Sequence, residues 1–235
     1  MKEKPTIIDF HTHLFPPKIA EKVIANLQSL GGTRAQTDAT EAGLLKSMDQ
    51  NGVDRSVALP VATNVGQVEK LNDISIARTE RAAEAASDRL IWFGCMHPAY
   101  EEEAGGLSGA LNGTLGGSGG GIGSAAVKKE LARLKAAGVK GVKLHPAYQK
   151  TRLDDLRYLR IIDQSCEAGL LCLTHAGWDI GVPGEWCSPR MCAEIVRRYE
   201  FPGLILAHLG GVKEWEDSLK YVAGLPVWLD TAMSF

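Results

Sequence analysis

Short apolar segments rich in β-branched residues alternate with stretches of helical periodicity along most of the chain. The apolar segments predict seven strands, at residues 6–10, 55–59, 90–96, 141–144, 170–174, 204–207 and 227–230. The stretches between them predict helices at residues 17–30, 42–51, 68–87, 125–137, 153–168, 189–199 and 212–222. Gly52, Gly138, Gly169 and Gly224 stand just after helical runs, where a left-handed C-cap residue is expected.

Continuous apolar strands separated by helices are typical of a parallel sheet that is buried on both faces. Seven such units in one uninterrupted series favour a (β/α) barrel over a doubly wound sheet, and such a barrel normally has eight strands. The predicted fold class is therefore α/β, a TIM-type barrel that is incomplete because its eighth strand is missing. We expect residues 1–235 to form one domain.

One segment departs from this alternation. Ten of the nineteen residues from Gly105 to Gly123 are glycine, and most of the others are small. Such a composition buries too little apolar surface to offset the entropy of ordering, so it predicts a flexible or disordered insertion after the third strand. A glycine-rich loop before a helix can bind phosphate, but the Lys-Ser/Thr pair of a P-loop does not follow this one.

Composition excludes several classes of function. The formal net charge is -2 and the chain has no long basic run, so nothing points to nucleic acid or to an anionic membrane. No apolar stretch reaches the length of a transmembrane helix, and the amino end does not resemble a signal peptide. The five cysteines show no C-x-x-C spacing, which favours reduced thiols in a cytoplasmic protein, although Cys187 or Cys192 could be reactive.

A histidine pair at the end of the first strand is the main chemical signal. His11 and His13 are separated by one residue, so their side chains leave the same face of a strand and can converge on one ion. Asp9 shares that face one pleat deeper and could orient a metal ligand. Two histidines at an inward-facing strand end are hard to explain by packing, so the pair predicts a metal site.

The other four histidines also follow predicted strands. His175 and His208 each end an apolar strand and are followed closely by glycine, and His145 and His97 each precede a proline at a strand end. Either of the first two alone would more often be a core residue, but their repetition points to the rim of a barrel where catalytic groups stand. Neutral imidazole is the commonest protein ligand of transition metals.

Two charged residues leave alternatives open. Lys143, one pleat below His145, could be paired with a carboxylate such as Asp9 or Asp230, which we favour, or it could be carbamylated and bridge two metals. Asp230 ends the seventh strand and could be a carboxylate of the site or the N-cap of a helix.

These motifs together resemble the amidohydrolase-related family of metal-dependent barrel hydrolases, in the branch that includes aminocarboxymuconate-semialdehyde decarboxylase and the resorcylate decarboxylases. The matching stretches are Ile8-Asp9-Phe10-His11-Thr12-His13, Gly141-Val142-Lys143-Leu144-His145-Pro146, Thr174-His175-Ala176-Gly177, Ile205-Leu206-Ala207-His208-Leu209-Gly210-Gly211 and Leu229-Asp230-Thr231. The resemblance implies one divalent ion, usually zinc, held by His11, His13 and His175. It also implies that His208 orients or deprotonates the attacking water, or polarises the substrate.

The chain departs from the family in one respect. The family's eighth strand ends in an aspartate that binds the metal and accepts a proton, and nothing after Asp230 supplies it. We expect a truncated sequence, rather than a gap closed by another chain or an open, inactive barrel. An open edge also raises the chance of a homo-oligomer. Asp230 could replace the missing acid/base.

The expected function is hydrolysis of a C–N or C–O bond in a small molecule by metal-activated water. His145, Trp178 and Arg190 are the predicted substrate contacts, and Arg190 could bind a carboxylate, although an exposed arginine at a helix start is the simpler interpretation. A metal-dependent, non-oxidative decarboxylase of a small carboxylic acid is the alternative, and an inactive metal-binding remnant is the third.

Overall fold

Parallel strands alternate with helices in the computed structural model, which describes residues 5–32, 34–101 and 125–234. The strands are β1 Ile8–Thr12, β2 Arg55–Ala58, β3 Leu90–Trp92, β4 Gly94–Cys95, β5 Gly141–Leu144, β6 Leu171–Thr174, β7 Leu204–Leu206 and β8 Trp228–Leu229. The helices are α1 Pro17–Gly31, α2 Glu41–Asn51, α3 Val68–Glu84, α4 Ala125–Ala136, α5 Leu156–Glu167, α6 Pro189–Arg198 and α7 Trp215–Tyr221. The predicted glycine-rich insertion, residues 105–123, lies outside the described residues.

The strands pair in the order expected of a barrel. β1, β2 and β3 form one parallel sheet, and β4 to β8 form a second in sequence order. β3 and β4 are two halves of the predicted third strand, divided at the buried Phe93, so that the first half pairs with β2 and the second with β5. Because β3 and β4 share one position, the eight strands occupy seven positions of a barrel. Within the described ranges, no hydrogen-bonded ladder joins β8 to β1. The prediction of an incomplete TIM-type barrel is confirmed.

The boundaries of the elements follow local chemistry. α2 begins where the Thr40 hydroxyl accepts a hydrogen bond from the Gly43 amide at 3.0 Å, and it ends at Gly52, whose φ of 68° is left-handed. The other three predicted C-cap glycines also have positive φ. The first strand was predicted to begin at residue 6 and end at residue 10. It instead begins at Ile8 and runs to Thr12, so it includes His11.

The core lies between the middle strands and the helices that cover them. Every residue of β5 and β7 is buried. α5 buries Tyr158, Leu159, Ile161 and Ile162 along one face, which is the spacing of an amphipathic helix. By contrast, the residues of β8 are exposed. No helix among the described residues is long and apolar enough to cross a bilayer.

The five cysteines are free thiols. Cys187 and Cys192, near the predicted site, are both buried. Burial raises the pKa of the Cys187 thiol well above its ordinary value and raises that of Cys192 to about 12. Thiols held in the protonated form are poor nucleophiles, so the structure favours packing over reactivity at both positions.

Candidate functional site

The carboxyl ends of the strands deliver the candidate residues to one rim. His11 lies within β1 and His13 directly after it, while His145, His175 and His208 follow β5, β6 and β7. Because carboxyl ends of parallel strands meet at the same end of a barrel, residues far apart in sequence become neighbours there.

Five of the six histidines form one continuous cluster. The ring centroids of His11 and His13 are 5.1 Å apart, and those of His11 and His208 are 4.8 Å apart. The cluster continues from His208 to His175 at 5.0 Å and from His175 to His145 at 4.4 Å. The structure therefore brings together the three histidines expected to bind a metal and the one expected to act on water. The sixth, His97, accepts a hydrogen bond at Nδ1 from the Ala99 amide at 3.2 Å.

The hydrogen bonds at Nδ1 of His11 and His13 identify the tautomer of each ring. His11 Nδ1 lies 2.7 Å from Asp230 Oδ2, and His13 Nδ1 lies 2.8 Å from the Leu59 carbonyl oxygen. Both partners are acceptors, so each neutral ring carries its proton on Nδ1 and leaves Nε2 as a lone pair. The two Nε2 atoms are 3.2 Å apart. Two lone pairs cannot hydrogen-bond to each other, but a cation between them would satisfy both.

This separation fits metal coordination. Two nitrogens that each lie about 2.1 Å from a tetrahedral ion are about 3.4 Å apart. The 2.7 Å distance from His11 Nδ1 to Asp230 Oδ2 is too short for two ligands of one tetrahedral ion and is that of a hydrogen bond. The His11–His13 pair therefore fits a divalent ion on its Nε2 side.

His208 is fixed in the same way. Its Nδ1 donates to the Ala232 carbonyl oxygen at 2.9 Å, so its Nε2 is a lone pair, and this atom lies 3.2 Å from His175 Nδ1. The other ring nitrogen of His175, Nε2, is buried and has no hydrogen-bond partner. Buried polar atoms without a partner are costly, so this one requires an explanation.

Burial keeps the cluster neutral. It lowers the pKa of His11 and His175 well below the ordinary histidine value, and the positive charge of Lys143 lowers both further. Burial also lowers the pKa of Lys143 itself, to about 7. Neutral imidazole is the form that binds metals.

Lys143 does not make the ion pair that we favoured. Its side chain is almost completely buried, and its Nζ lies 3.5 Å from His11 Nε2. Among the described residues, no carboxylate oxygen lies within 4.0 Å of Lys143 Nζ, the limit for an ion pair. The predicted pairing of Lys143 with Asp9 or Asp230 is therefore wrong. Carbamylation of Lys143 stays the alternative prediction.

Asp230 holds the two outer strands of the site together. Its Oδ2 accepts from His11 on β1, and its Oδ1 accepts from the backbone amides of His208 at 2.8 Å and Ala232 at 3.0 Å. Asp230 is buried, and these three donors occupy both of its oxygens. The arrangement suits a residue that orients His11 better than one that exchanges protons. Asp9 was expected to orient a ligand ring, but its carboxylate accepts the backbone amide of His11 at 3.1 Å instead.

The backbone around His208 is strained. His208 and Leu209 have φ values of 57° and 52°, in the left-handed region that side chains disfavour. The neighbouring loops are also close. Gly177 bridges to Val212, and a Cβ at Gly177 would lie 2.3 Å from the Val212 nitrogen. Only glycine permits this contact, which fixes the turn that follows His175.

A carboxylate that the sequence analysis missed faces the buried end of the cluster. Asp179 Oδ2 lies 3.8 Å from His145 Nε2 and 4.0 Å from His175 Nε2. The signal available was its position four residues after His175, in the loop that follows a strand-end histidine. The ligand atoms of this trio lie within 4.8 Å of one another, as do those of His11, His208 and Asp230.

The remaining predicted substrate contacts differ in position. His145 is buried, and its ring stacks on Tyr148 with centroids 4.2 Å apart. Trp178 follows the His175 turn and is 40% exposed. Arg190 lies at the start of α6, where its Nε is 3.1 Å from Glu194 and its side chain is 71% exposed. Their roles toward a substrate stay predictions.

Comparison with known proteins identifies the sequence family. The sequence model of the amidohydrolase family matches residues 8–235. No curated protein matches the chain in sequence.

Similar solved structures share the barrel at low identity. An uncharacterised TIM-barrel protein from Bordetella bronchiseptica is 14% identical with a TM-score of 0.62, over 97% of this chain and 76% of that one. The 5-carboxyvanillate decarboxylase of Novosphingobium aromaticivorans, solved with manganese, is 15% identical with a TM-score of 0.57, over 92% and 67%. A protein of Acinetobacter baumannii described as a probable 2-pyrone-4,6-dicarboxylic acid hydrolase is 15% identical with a TM-score of 0.53, over 97% of this chain and 70% of that one.

Proposed function

The chain belongs to the amidohydrolase family, and from that premise we propose that it is a metal-dependent hydrolase of a small molecule. In this proposal, metal-activated water attacks a C–N or C–O bond. The observation that carries the proposal is the pair of Nε2 lone pairs of His11 and His13, which face each other at 3.2 Å with their protons held on the opposite side of each ring.

His11, His13 and His175 are the proposed ligands, and zinc is the proposed ion. The neutral cluster and the tautomers of the first pair support this ligand set. When bound, a divalent ion supplies a Lewis acid and lowers the pKa of bound water toward neutrality. Manganese is the other candidate, because the similar decarboxylase structure contains it.

The chain's own residues orient the proposed metal ligands and supply a proton acceptor. Asp230 and the Leu59 carbonyl hold the rings of His11 and His13, so their lone pairs keep one direction. His208 directs an unprotonated Nε2 toward the centre of the histidine cluster. In that position, Nε2 could accept a proton from water. Asp230, bonded through both oxygens, is the weaker candidate for proton transfer.

His145, Trp178 and Arg190 remain the proposed substrate contacts. Trp178 is partly exposed beside the cluster and offers an apolar face. Arg190 would have to leave Glu194 to bind a carboxylate. Without a clear carboxylate clamp, hydrolysis is favoured over the alternative, a non-oxidative decarboxylase, which the similar 5-carboxyvanillate decarboxylase represents.

We further propose that the chain forms a single domain and that it assembles into a homo-oligomer. We also propose that the protein is cytoplasmic, which is consistent with its five free thiols.

Metal analysis combined with an activity screen tests this proposal. Purified protein should hold about one equivalent of a divalent ion, and His11→Ala should lose it. His97, a half-buried histidine outside the cluster of five, serves as the control, and His97→Ala should keep the ion. Protein that stays metal-free under metal-replete conditions would overturn the proposal.

The screen should compare hydrolysis of lactones, amides and esters with release of carbon dioxide from aromatic and unsaturated acids. Hydrolysis that depends on the metal supports the proposal. Metal-dependent release of carbon dioxide alone replaces it with the decarboxylase, and a metal-loaded protein inactive in both assays points to the metal-binding remnant.

A further inference from the structure

The buried nitrogen of His175 and the carboxylate of Asp179 are left unexplained by the ligand set above. His175 Nε2 has no hydrogen-bond partner, yet it is aimed at Asp179 Oδ2, 4.0 Å away. The side chain of Asp179 is only 12% exposed. A buried nitrogen and a largely buried carboxylate oxygen that face each other without a proton between them would both be destabilised.

The other histidines of the cluster follow one rule. His11, His13 and His208 each donate an Nδ1 proton to an acceptor behind the ring: Asp230, the Leu59 carbonyl or the Ala232 carbonyl. Each therefore presents its second nitrogen as a lone pair to the centre of the cluster. His175 is turned the other way, since its Nδ1 faces His208 Nε2 at 3.2 Å and its Nε2 lies behind.

We infer that Asp179 is a positioning residue that holds the proton of His175 on Nε2 and thereby presents Nδ1 as a metal ligand. Asp179 is then the outer acceptor for His175, as Asp230 is for His11. The inference rests on the proposed function, because it assumes that His175 binds the ion. It explains the buried Nε2 and leaves two lone pairs, on His175 and His208, facing each other at 3.2 Å as in the first pair.

The loop that carries Asp179 is built to aim this carboxylate. Asp179 Oδ1 accepts from the backbone amides of Gly181 at 2.8 Å and Val182 at 3.2 Å. These bonds fix one oxygen to the loop and leave Oδ2 directed at the histidines. A modest turn of the His175 ring would complete the hydrogen bond.

His145 shares the same acceptor. Its Nδ1 accepts from the Tyr148 amide at 3.4 Å, so the proton of the neutral ring is on Nε2, which lies 3.8 Å from Asp179 Oδ2. The rings of His145 and His175 are stacked with an interplanar angle of 9°. Lone pairs in parallel planes do not converge on one point, which disfavours a second ion between these two rings and Asp179.

Asp179→Asn tests the inference because it reverses the hydrogen bond. The amide oxygen can still accept from Gly181 and Val182, so the loop is retained, while the NH2 group replaces the acceptor that faces His175. The ring should then carry its proton on Nδ1 and lose the inward lone pair. Glu185→Gln is the matched control, since Glu185 lies on the same connection with a side chain 66% exposed.

The tautomer of His175 is measured by 15N NMR of histidine-labelled, metal-free protein, with His175→Gln to assign the signal. We expect the Nε2–H form in wild type and in Glu185→Gln, and the Nδ1–H form in Asp179→Asn. Competition with a chelator should show that Asp179→Asn binds Zn²⁺ or Mn²⁺ about 10- to 100-fold more weakly, the usual effect of removing such an outer partner.

Each outcome separates the two proposals. An unchanged tautomer with unchanged metal affinity in Asp179→Asn would overturn the inference and leave the metalloenzyme intact. Two equivalents of metal in wild type and one in Asp179→Asn would also overturn it, in favour of a second ion. If wild type binds no metal, the proposed function fails, whereas the tautomer in the metal-free protein still decides the role of Asp179.

Discussion

The middle strands of the sheet and its two outer strands contribute to the site in different ways. β5 and β7 are buried throughout, and the histidines that follow them stand on a rigid, packed base. β8 is exposed, β1 is exposed at its amino end and half-buried over its last three residues, and in the described residues no ladder joins the two strands. Their connection at the site is the side-chain contact between His11 and Asp230.

This difference separates stability from ligand geometry. In the middle of the sheet, packing positions the histidines, so a change that harms the site should also destabilise the fold. At the outer strands, hydrogen bonds position His11, so its orientation can be lost while the fold persists. Four sets of variants test this separation.

The largest effect is expected from truncating a middle strand. Leu144 in β5 is completely buried, and Leu144→Ala should lower the free energy of unfolding by about 2–5 kcal/mol, through lost burial and the cavity left behind. Leu229 in β8 is 39% exposed, and Leu229→Ala should cost less than about 1 kcal/mol. Urea unfolding of chelator-treated protein measures both. Equal losses at the two positions would contradict the comparison.

The order of the strands and the rim position of the histidines were predictable because both follow from local patterns. Apolar segments of β-branched residues define strands, and a residue that follows a parallel strand must lie at its carboxyl end. The first strand was misplaced by two residues because its amino end is exposed and carries no buried pattern to define it.

The hydrogen bonds within the site were not predictable. His11 and Asp230 are 219 residues apart, and nothing local indicates that Asp230, rather than the neighbouring Asp9, bonds to the ring. Asp179 was missed for the same reason, since its orientation depends on a loop that the apolar pattern does not define. The predicted partners of Lys143 failed because side-chain pairing in a barrel interior depends on distances that sequence does not contain.

The second effect concerns the outer strands. Asp230→Asn keeps an oxygen for the amides of His208 and Ala232 but turns an NH2 group toward His11 Nδ1, which favours the wrong tautomer. Metal affinity should fall about 10- to 100-fold. The free energy of unfolding should fall less than in Leu144→Ala. Asp9→Asn is the matched control and should change the affinity little, because Asp9 contacts only backbone of His11. Isothermal titration with Zn²⁺ or Mn²⁺ distinguishes the two.

A third effect is the pH dependence that the buried Lys143 imposes on the metal-free protein. Burial lowers its pKa from 10.5 to about 7. Between these values the unfolded chain holds a proton that the folded chain has lost, so stability should rise as pH increases from about 7 toward 10.5. Below pH 7 both states are protonated, and the cost of the buried ammonium is fully present.

Lys143→Met removes this charge and should flatten the rise, which can reach about 1.4 kcal/mol per pH unit for one proton. The exposed Lys18 provides the control, and Lys18→Met should leave the pH profile of unfolding unchanged. Urea unfolding at several pH values measures the slope. A wild-type profile as flat as that of Lys143→Met would show that this lysine is not desolvated in solution.

The smallest effect is expected at the exposed edge itself. Trp228 in β8 is 67% exposed, so Trp228→Ser removes little buried surface and should change the free energy of unfolding by no more than about 0.5 kcal/mol. Metal affinity should also be unchanged, because Asp230 two residues later keeps its three donors. A larger loss that grows with protein concentration would instead show that a second copy covers this edge, since association stabilises only the folded state. The outer strands would then owe their position to an interface as well as to the hydrogen bond between His11 and Asp230.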